Sequence, residues 1–219
     1  GISGTSGNVS VRVPGGFLIT PSGMPYEKLV PNDIVFVDDG GGYYGNLLPS
    51  SEWRLHYDIY ISKPSAEAVV HAHPDHCTAL SALHDPIPAF HYMIGVAGGK
   101  EIPCARYETF GSQALSDSVL DALGDSTRAC LMANHGMICF NSSLDKAFGL
   151  AKSVEQLARQ YIIARQIGNP KILDDNEMDN ILAKFKTYGK QPKEIAAMGC
   201  FCQTHAVQPP PRRDGPNVL

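Results

Sequence analysis

The sequence predicts a mixed α/β sheet protein, and three observations carry the prediction. Short valine- and isoleucine-rich runs alternate apolar and polar residues with period two, as in V-S-V-R-V at 9–13, the pattern of half-buried strands. A long segment at 143–167 instead repeats apolar residues at three and four, which marks one face of a helix. The chain of 219 residues, 43% hydrophobic, is long enough for one such domain with a full core and cramped for two.

In chain order, 9–13 and 17–20 flank Pro14-Gly15-Gly16 and predict a hairpin. A third strand is expected at 34–38, followed by a Gly-rich turn into Tyr43 and Tyr44. Trp53, His56 or Tyr57, and Tyr60 then recur at helical spacing, with Ser50 and Ser51 as cap candidates and Glu52 in the first turn. The run 66–73 reads as a buried strand, 78–83 as a short helix, 102–106 as a short strand and 112–123 as a helix with Leu115, Val119 and Leu123 on one face. Strands at 128–133 and 137–140 precede the 143–167 helix, which Gly168-Asn169-Pro170 ends, and a further helix is expected at 179–185. Residues 1–190 are read as the folded domain and 191–219, with Cys200, Cys202 and three consecutive prolines, as a mobile or partner-docked extension. A domain rarely begins inside a glycine-rich loop such as G-I-S-G-T-S-G-N, so an upstream segment is expected.

The charge is near balance, with 18 basic and 22 acidic residues, and no Lys/Arg cluster tracks phosphates, which argues against a nucleic-acid partner. The six cysteines mostly sit in apolar runs such as A-C-L-M and read as buried free thiols. No apolar run approaches the ~20 residues that span a bilayer, and no charged n-region of a signal peptide is present, so the expectation is a cytoplasmic protein with no membrane partner.

The chemistry concentrates in V-V-H-A-H-P-D-H-C at 69–77. Two residues apart on a strand, His71 and His73 project from one face about 7 Å apart along the chain, within reach of a single metal ion. The run 129–133 delivers Asn134, His135 and Gly136, a third imidazole after a second strand, which together suggest a catalytic zinc-type site. Lone histidines are more often structural, and His56, His76, His84, His91 and His205 are left in that group. Glu52 reads either as a helix-start charge or as a fourth ligand and general base, and its i+4 pair with His56 reads equally as a surface contact. Three loops of small polar residues, at 6–8, 20–23 and 49–51, resemble a distributed phosphate cradle if they converge. No G-x-G-x-x-G or Walker pattern points to a nucleotide.

The motifs S-G-N-V-S-V-R, L-I-T-P-S-G-x-P-Y-E-K-L, L-P-S-S-E-W-R-L-H, A-V-V-H-A-H-x-x-H-C-T-A, H-Y-M-I, G-G-K-E-I-P-C-A-x-Y-x-T-F-G, N-H-G and F-K-T-Y-G, in this order, resemble the class II aldolase/adducin family, and within it the L-fuculose-1-phosphate aldolase branch. The resemblance implies a single three-layer α/β/α domain around a central, mostly antiparallel sheet, preceded by an amino-terminal helix that this sequence lacks. It also implies a homotetramer with sites at subunit interfaces. It implies one zinc ion per subunit, exchangeable for other divalent metals, on His71, His73, His135 and Glu52, with Glu52 also the acid/base. Gly7, Asn8, Ser22, Gly23, Ser50 and Ser51 match phosphate-binding positions. Tyr92 matches a tyrosine that reaches in from the neighbouring subunit to protonate the aldehyde oxygen, and Phe110 and Tyr188 belong to the aldehyde pocket.

The activity so implied is cleavage of a ketose 1-phosphate, L-fuculose 1-phosphate first, to dihydroxyacetone phosphate and L-lactaldehyde. Related 4-epimerases carry aspartate where this chain has Glu52, which favours aldolase. Sugar-phosphate decarboxylases and dehydratases keep similar histidine sites and stand as alternatives. A non-catalytic adducin-like domain is disfavoured by the intact His71, His73, His135 and Glu52.

Overall fold

Strand residues point alternately to opposite faces, and the most central strand here is apolar on both faces, so both must be covered. The computed structural model, which describes residues 6–189, shows how. Strand β5 (Ala68–Ala72) is buried at every position. It pairs antiparallel with β1 (Asn8–Val13) on one side and β8 (Gly136–Asn141) on the other. Beyond β1 come β2 (Gly16–Ile19), β3 (Val35–Asp38) and the short β4 (Tyr43–Tyr44), and beyond β8 come β7 (Ala129–Met132) and β6 (Cys104–Ala105). Each neighbouring pair is antiparallel except β6 with β7, so the sheet is mixed, with one parallel pair at its edge.

Alternation sorts the core into two halves. Val70, Leu131, Met137 and Cys139 pack on one face with α2 (Asp75–Ser81), α4 (Leu144–Ile167) and α5 (Asp175–Phe185). Val69, Cys130, Ile138 and Phe140 pack on the other with α1 (Trp53–Ser62) and α3 (Gln113–Leu123). The result is the expected three-layer α/β/α arrangement. The predicted hairpin forms with Val13 opposite Gly16 across Pro14-Gly15. Cys77, Cys104, Cys130 and Cys139 are free thiols. Among the described residues no helix is long and apolar enough to cross a membrane. The predicted extension at 191–219, including Cys200 and Cys202, lies outside the described residues, as do residues 1–5.

Strand ends move by one or two residues from the expected ranges, and three helix starts differ for identifiable reasons. Helix α5 starts at Asp175 rather than 179 because Asp174 caps it, its carboxylate accepting the Glu177 N–H at 2.9 Å. Helix α1 is capped by neither Ser50 nor Ser51. Glu52 itself occupies the cap position and sends its side chain away from the helix, while Ser50 Oγ accepts the Glu52 N–H at 3.2 Å. Helix α2 begins at Asp75, three residues before the predicted 78, although the preceding Pro74 has no side chain that can cap.

Glu155, on α4, supplies what Pro74 cannot. Its carboxylate accepts the Cys77 N–H at 2.9 Å and the His76 N–H at 3.2 Å, and its Oε1 stands 2.6 Å from His76 Nδ1. These donors hold the chain directly after His73. Burial alone would raise the Glu155 carboxyl, but the His76 ring together with the Cys77 and His76 N–H groups outweighs it and leaves the group below its ordinary value. With the folded-state value below the unfolded one of about 4.3, the stabilisation is complete above the unfolded value and is lost as pH falls through the folded one. Glu155→Gln is expected to cost about 1 kcal/mol at neutral pH. Its melting-temperature deficit against wild type should be constant from pH 7 to 5 and close towards pH 3, measured by thermal denaturation across that series.

Candidate active site

The β1–β5 register sets Asn8 directly opposite His71. Gly7, just before, has φ of 81°, and a Cβ there would stand 2.7 Å from the His71 carbonyl oxygen, so only glycine fits this turn into β1. The Tyr26 hydroxyl fixes the turn by donating to the Gly7 carbonyl at 2.8 Å. On the far side of β5, the β7–β8 turn carries Asn134 at φ of 52° and then His135. A Cβ on Gly136 would meet the Ala72 carbonyl at 2.6 Å and His73 Cδ2 at 2.7 Å, so the glycine of N-H-G is what lets this turn close over His73.

These turns bring His71, His73 and His135 together, with one ring nitrogen from each within 4.8 Å of the others. His71 Nδ1 donates to the Met137 carbonyl at 2.9 Å, which fixes the tautomer and turns the Nε2 lone pair inward. His73 Nε2 stands 2.9 Å from His71 Nε2. Burial and the neighbouring imidazoles push His73 down to about 4, and burial likewise lowers His135, so both rings are neutral at pH 7 as ligands must be.

Glu52 faces the trio. Its Oε2 is 3.1 Å from His71 Nε2, and its Oε1 is 3.4 Å from His135 Nε2 while lacking any hydrogen bond. Three clustered imidazole nitrogens with a buried carboxylate beside them, one of its oxygens without a hydrogen bond, are the donor set of a divalent transition-metal site, so these residues fit a metal ion. Burial would raise the Glu52 carboxyl, but the His71 contact, the nearby His135 and the Asn8 amide pull it down to about 2.

Behind Glu52 runs a buried polar chain. Asn8 Nδ2 donates to Glu52 Oε2 at 2.9 Å, and Asn8 Oδ1 accepts from His56 Nε2 at 2.5 Å. His56 Nδ1 therefore accepts the Ser10 hydroxyl at 2.7 Å, and Ser10 accepts from Tyr60 at 2.8 Å. His56 is 0% exposed and burial pushes it down to about 3, which agrees with its place among the structural histidines and sets aside the alternative of a surface contact with Glu52. The ring instead supports Glu52 through Asn8. The sequence signal was there in its helical spacing with Trp53 and Tyr60, but nothing in spacing alone says which strand residue it meets.

A cavity of about 340 Å³ opens on this cluster, lined by Glu52, His73 and His135 together with Gly7, Asn8, Ser22, Gly23, Ser50, Ser51 and Phe110. The three small-residue loops thus converge, as the cradle reading required. Tyr107, Glu108 and Asn134, which the sequence reading did not single out, line it too. Tyr92 and Tyr188 do not. They line a separate cavity with Ile181, Lys184 and Phe185.

Residues 2–162 match the family described as the class II aldolase and adducin N-terminal domain, and the chain belongs to that metal-dependent family. By fold and site it is an enzyme of the class II aldolase type. It is 52% identical over 192 residues to an L-fuculose phosphate aldolase of Escherichia coli O6:H1, covering 87% of this chain and 89% of that one. It is also 50% identical over 186 residues to a 5-methylthioribulose-1-phosphate/5-deoxyribulose-1-phosphate aldolase of Rhodospirillum rubrum, covering 85% and 84%. A solved L-fuculose 1-phosphate aldolase superposes with a TM-score of 0.80 at 39% identity, over 84% of this chain and 87% of that chain.

Gly7→Ala forces a side chain against the His71 carbonyl at a positive φ. The expected cost is about 2 kcal/mol. It should appear as a fall in melting temperature of about 4–8 °C on calorimetry.

Proposed function

We propose that this protein is a zinc-dependent aldolase that reversibly cleaves L-fuculose 1-phosphate to dihydroxyacetone phosphate and L-lactaldehyde, working as a homotetramer. The observation that carries the reading is the shared cavity. His73, His135 and Glu52, with its unsatisfied oxygen, line the same 340 Å³ space as the loops of Gly7, Ser22, Gly23, Ser50 and Ser51, and His71 stands directly behind them in the same cluster. When bound, a divalent ion supplies Lewis-acid polarisation of the ketose oxygens.

The work of the chain's own residues follows from their placement. The small-residue loops hold the phosphate with hydroxyl and backbone N–H donors and so orient the carbon chain over the histidines. Asn8 spends most of its amide on Glu52 and His56, so its part in the cradle is limited to one remaining N–H. Glu52, held ionised and desolvated, takes or returns the proton at the reacting centre. Phe110 provides apolar surface for the aldehyde half.

Tyr92 and Tyr188 lie away from this cavity within one chain, half-exposed or more. That placement supports their acting on a neighbouring subunit, with Tyr92 as proton donor and Tyr188 closing the pocket. The 50% identical relative from Rhodospirillum rubrum supports a second reading of the same chemistry, with an alkyl or thioether aldehyde in place of lactaldehyde.

Protein stripped with a chelator should release no dihydroxyacetone phosphate from L-fuculose 1-phosphate, and stoichiometric zinc should restore release. Failure of the zinc-loaded protein on every ketose 1-phosphate tried would falsify the reading, and carbon dioxide or dehydration products by NMR would replace it. Glu52→Gln should lower kcat roughly 10³-fold while retaining the fold. Tyr92→Phe should lower kcat about 10²-fold with little change in KM, and light scattering should give the mass of four chains.

A further inference from the structure

Three walls enclose the active-site cavity. The small-residue loops form one, Glu52 with the histidines a second, and the segment contributing Tyr107, Glu108 and Phe110 the third. This last wall is tied to the first. Ser112 caps α3 and donates its hydroxyl to the Thr109 carbonyl at 2.7 Å, and at Gly111 the backbone passes so close that a Cβ would stand 3.0 Å from the Ser51 carbonyl. The wall's position relative to the phosphate loops is therefore fixed by direct packing.

Glu108 is partly buried in this wall, and among the described residues its carboxylate makes no hydrogen bond or ion pair. The cavity's other carboxylate, Glu52, is bonded on one oxygen and faces the imidazoles with the other. Among the described residues no lysine or arginine lines the space. The acceptor oxygens of Glu108 thus have water or the bound substrate as partners. With the phosphate on the small-residue loops and the reacting carbons over the histidines, the part of a sugar phosphate left to meet the third wall is the aldehyde half.

We propose that Glu108 is a specificity-determining residue that accepts a hydroxyl from the aldehyde half, so that the site favours short hydroxylated aldehydes over alkyl or thioether ones. The proposal rests on the aldolase reading above and narrows its substrate class. A carboxylate has four acceptor positions to satisfy, and an O–H group beside the carbonyl can fill one of them with a charge-assisted bond. An alkyl or thioether chain in the same place displaces water from the carboxylate and returns nothing, which turns Glu108 into a barrier against such substrates. Solvent still reaches the group, so discrimination of roughly tenfold is expected rather than the far larger ratios of fully enclosed hydroxyl-binding pockets.

The test is the condensation direction, with zinc-loaded protein, dihydroxyacetone phosphate and two aldehydes that differ by one hydroxyl, L-lactaldehyde and propanal. Wild type should show a kcat/KM ratio in favour of L-lactaldehyde about tenfold larger than Glu108→Ala. Glu108→Gln, which keeps the shape and a neutral acceptor, should fall between the two. Melting temperatures of both variants should match wild type, since the side chain has no partner to lose among the described residues. An aldehyde ratio that is the same in all three proteins overturns the role of Glu108 and leaves the aldolase reading intact. Absence of product from both aldehydes in wild type, with no cleavage of any ketose 1-phosphate, overturns the aldolase reading and this inference with it.

Discussion

A carboxylate buried to 7% exposure has to be held by donors, and the arrangement around Glu52 is organised to supply them. One oxygen takes the Asn8 amide, and Asn8 is oriented in turn by His56, Ser10 and Tyr60 in an unbroken buried chain. The other oxygen faces the imidazoles without a hydrogen bond. Half of the carboxylate is thus anchored and half is left available at the place where charge and protons would move. A group fully satisfied by the protein could not do chemistry, and one wholly unsatisfied would not stay ionised in a desolvated site.

That arrangement depends on the middle of the sheet. Asn8 meets Glu52 beside His71 because the register of β1 on β5 pairs Asn8 with His71. A slip of β1 by one residue would turn Asn8 and Ser10 to the face opposite His71 and take the Asn8 amide away from Glu52. The glycines at 7 and 136 belong to the same constraint, since each lets a turn approach the carbonyls of β5 more closely than any side chain permits. Glu155 acts at the other end of the strand, where it fixes the corner after His73 from a helix about 80 residues away in sequence.

Much of the fold was legible in the sequence because its signals are local. Period-two runs and helical spacing placed the strands and helices to within a few residues, and H-x-H with N-H-G marked the histidine trio. Two of the differing helix starts share one cause, a contact from outside the helix. Helix α2 starts early because Glu155 binds its first N–H groups, and α1 is entered at Glu52 because that side chain is drawn to the histidines rather than to its own helix. In the site, His56 reads as structural from the sequence, but its pairing with Glu52 stays open to a surface contact there because burial cannot be read from spacing on a helix with tyrosines on several faces. Glu108 gave no signal at all, since a lone glutamate in a loop looks like any solvated charge.

The sequence by itself determined the residue types and their local geometry: an apolar strand carrying two imidazoles, a third on a tight turn, and loops of small polar residues. Those follow from side-chain alternation and turn chemistry, which act over a few residues. Only the tertiary structure decided that the loops at 6–8, 20–23 and 49–51 share one cavity with His73 and His135, that Tyr92 and Tyr188 stand outside it, and that Glu108 lines it without a partner among the described residues. Convergence of distant segments is set by sheet order and register, and the burial that fixes which polar groups are satisfied exists only once those segments have packed.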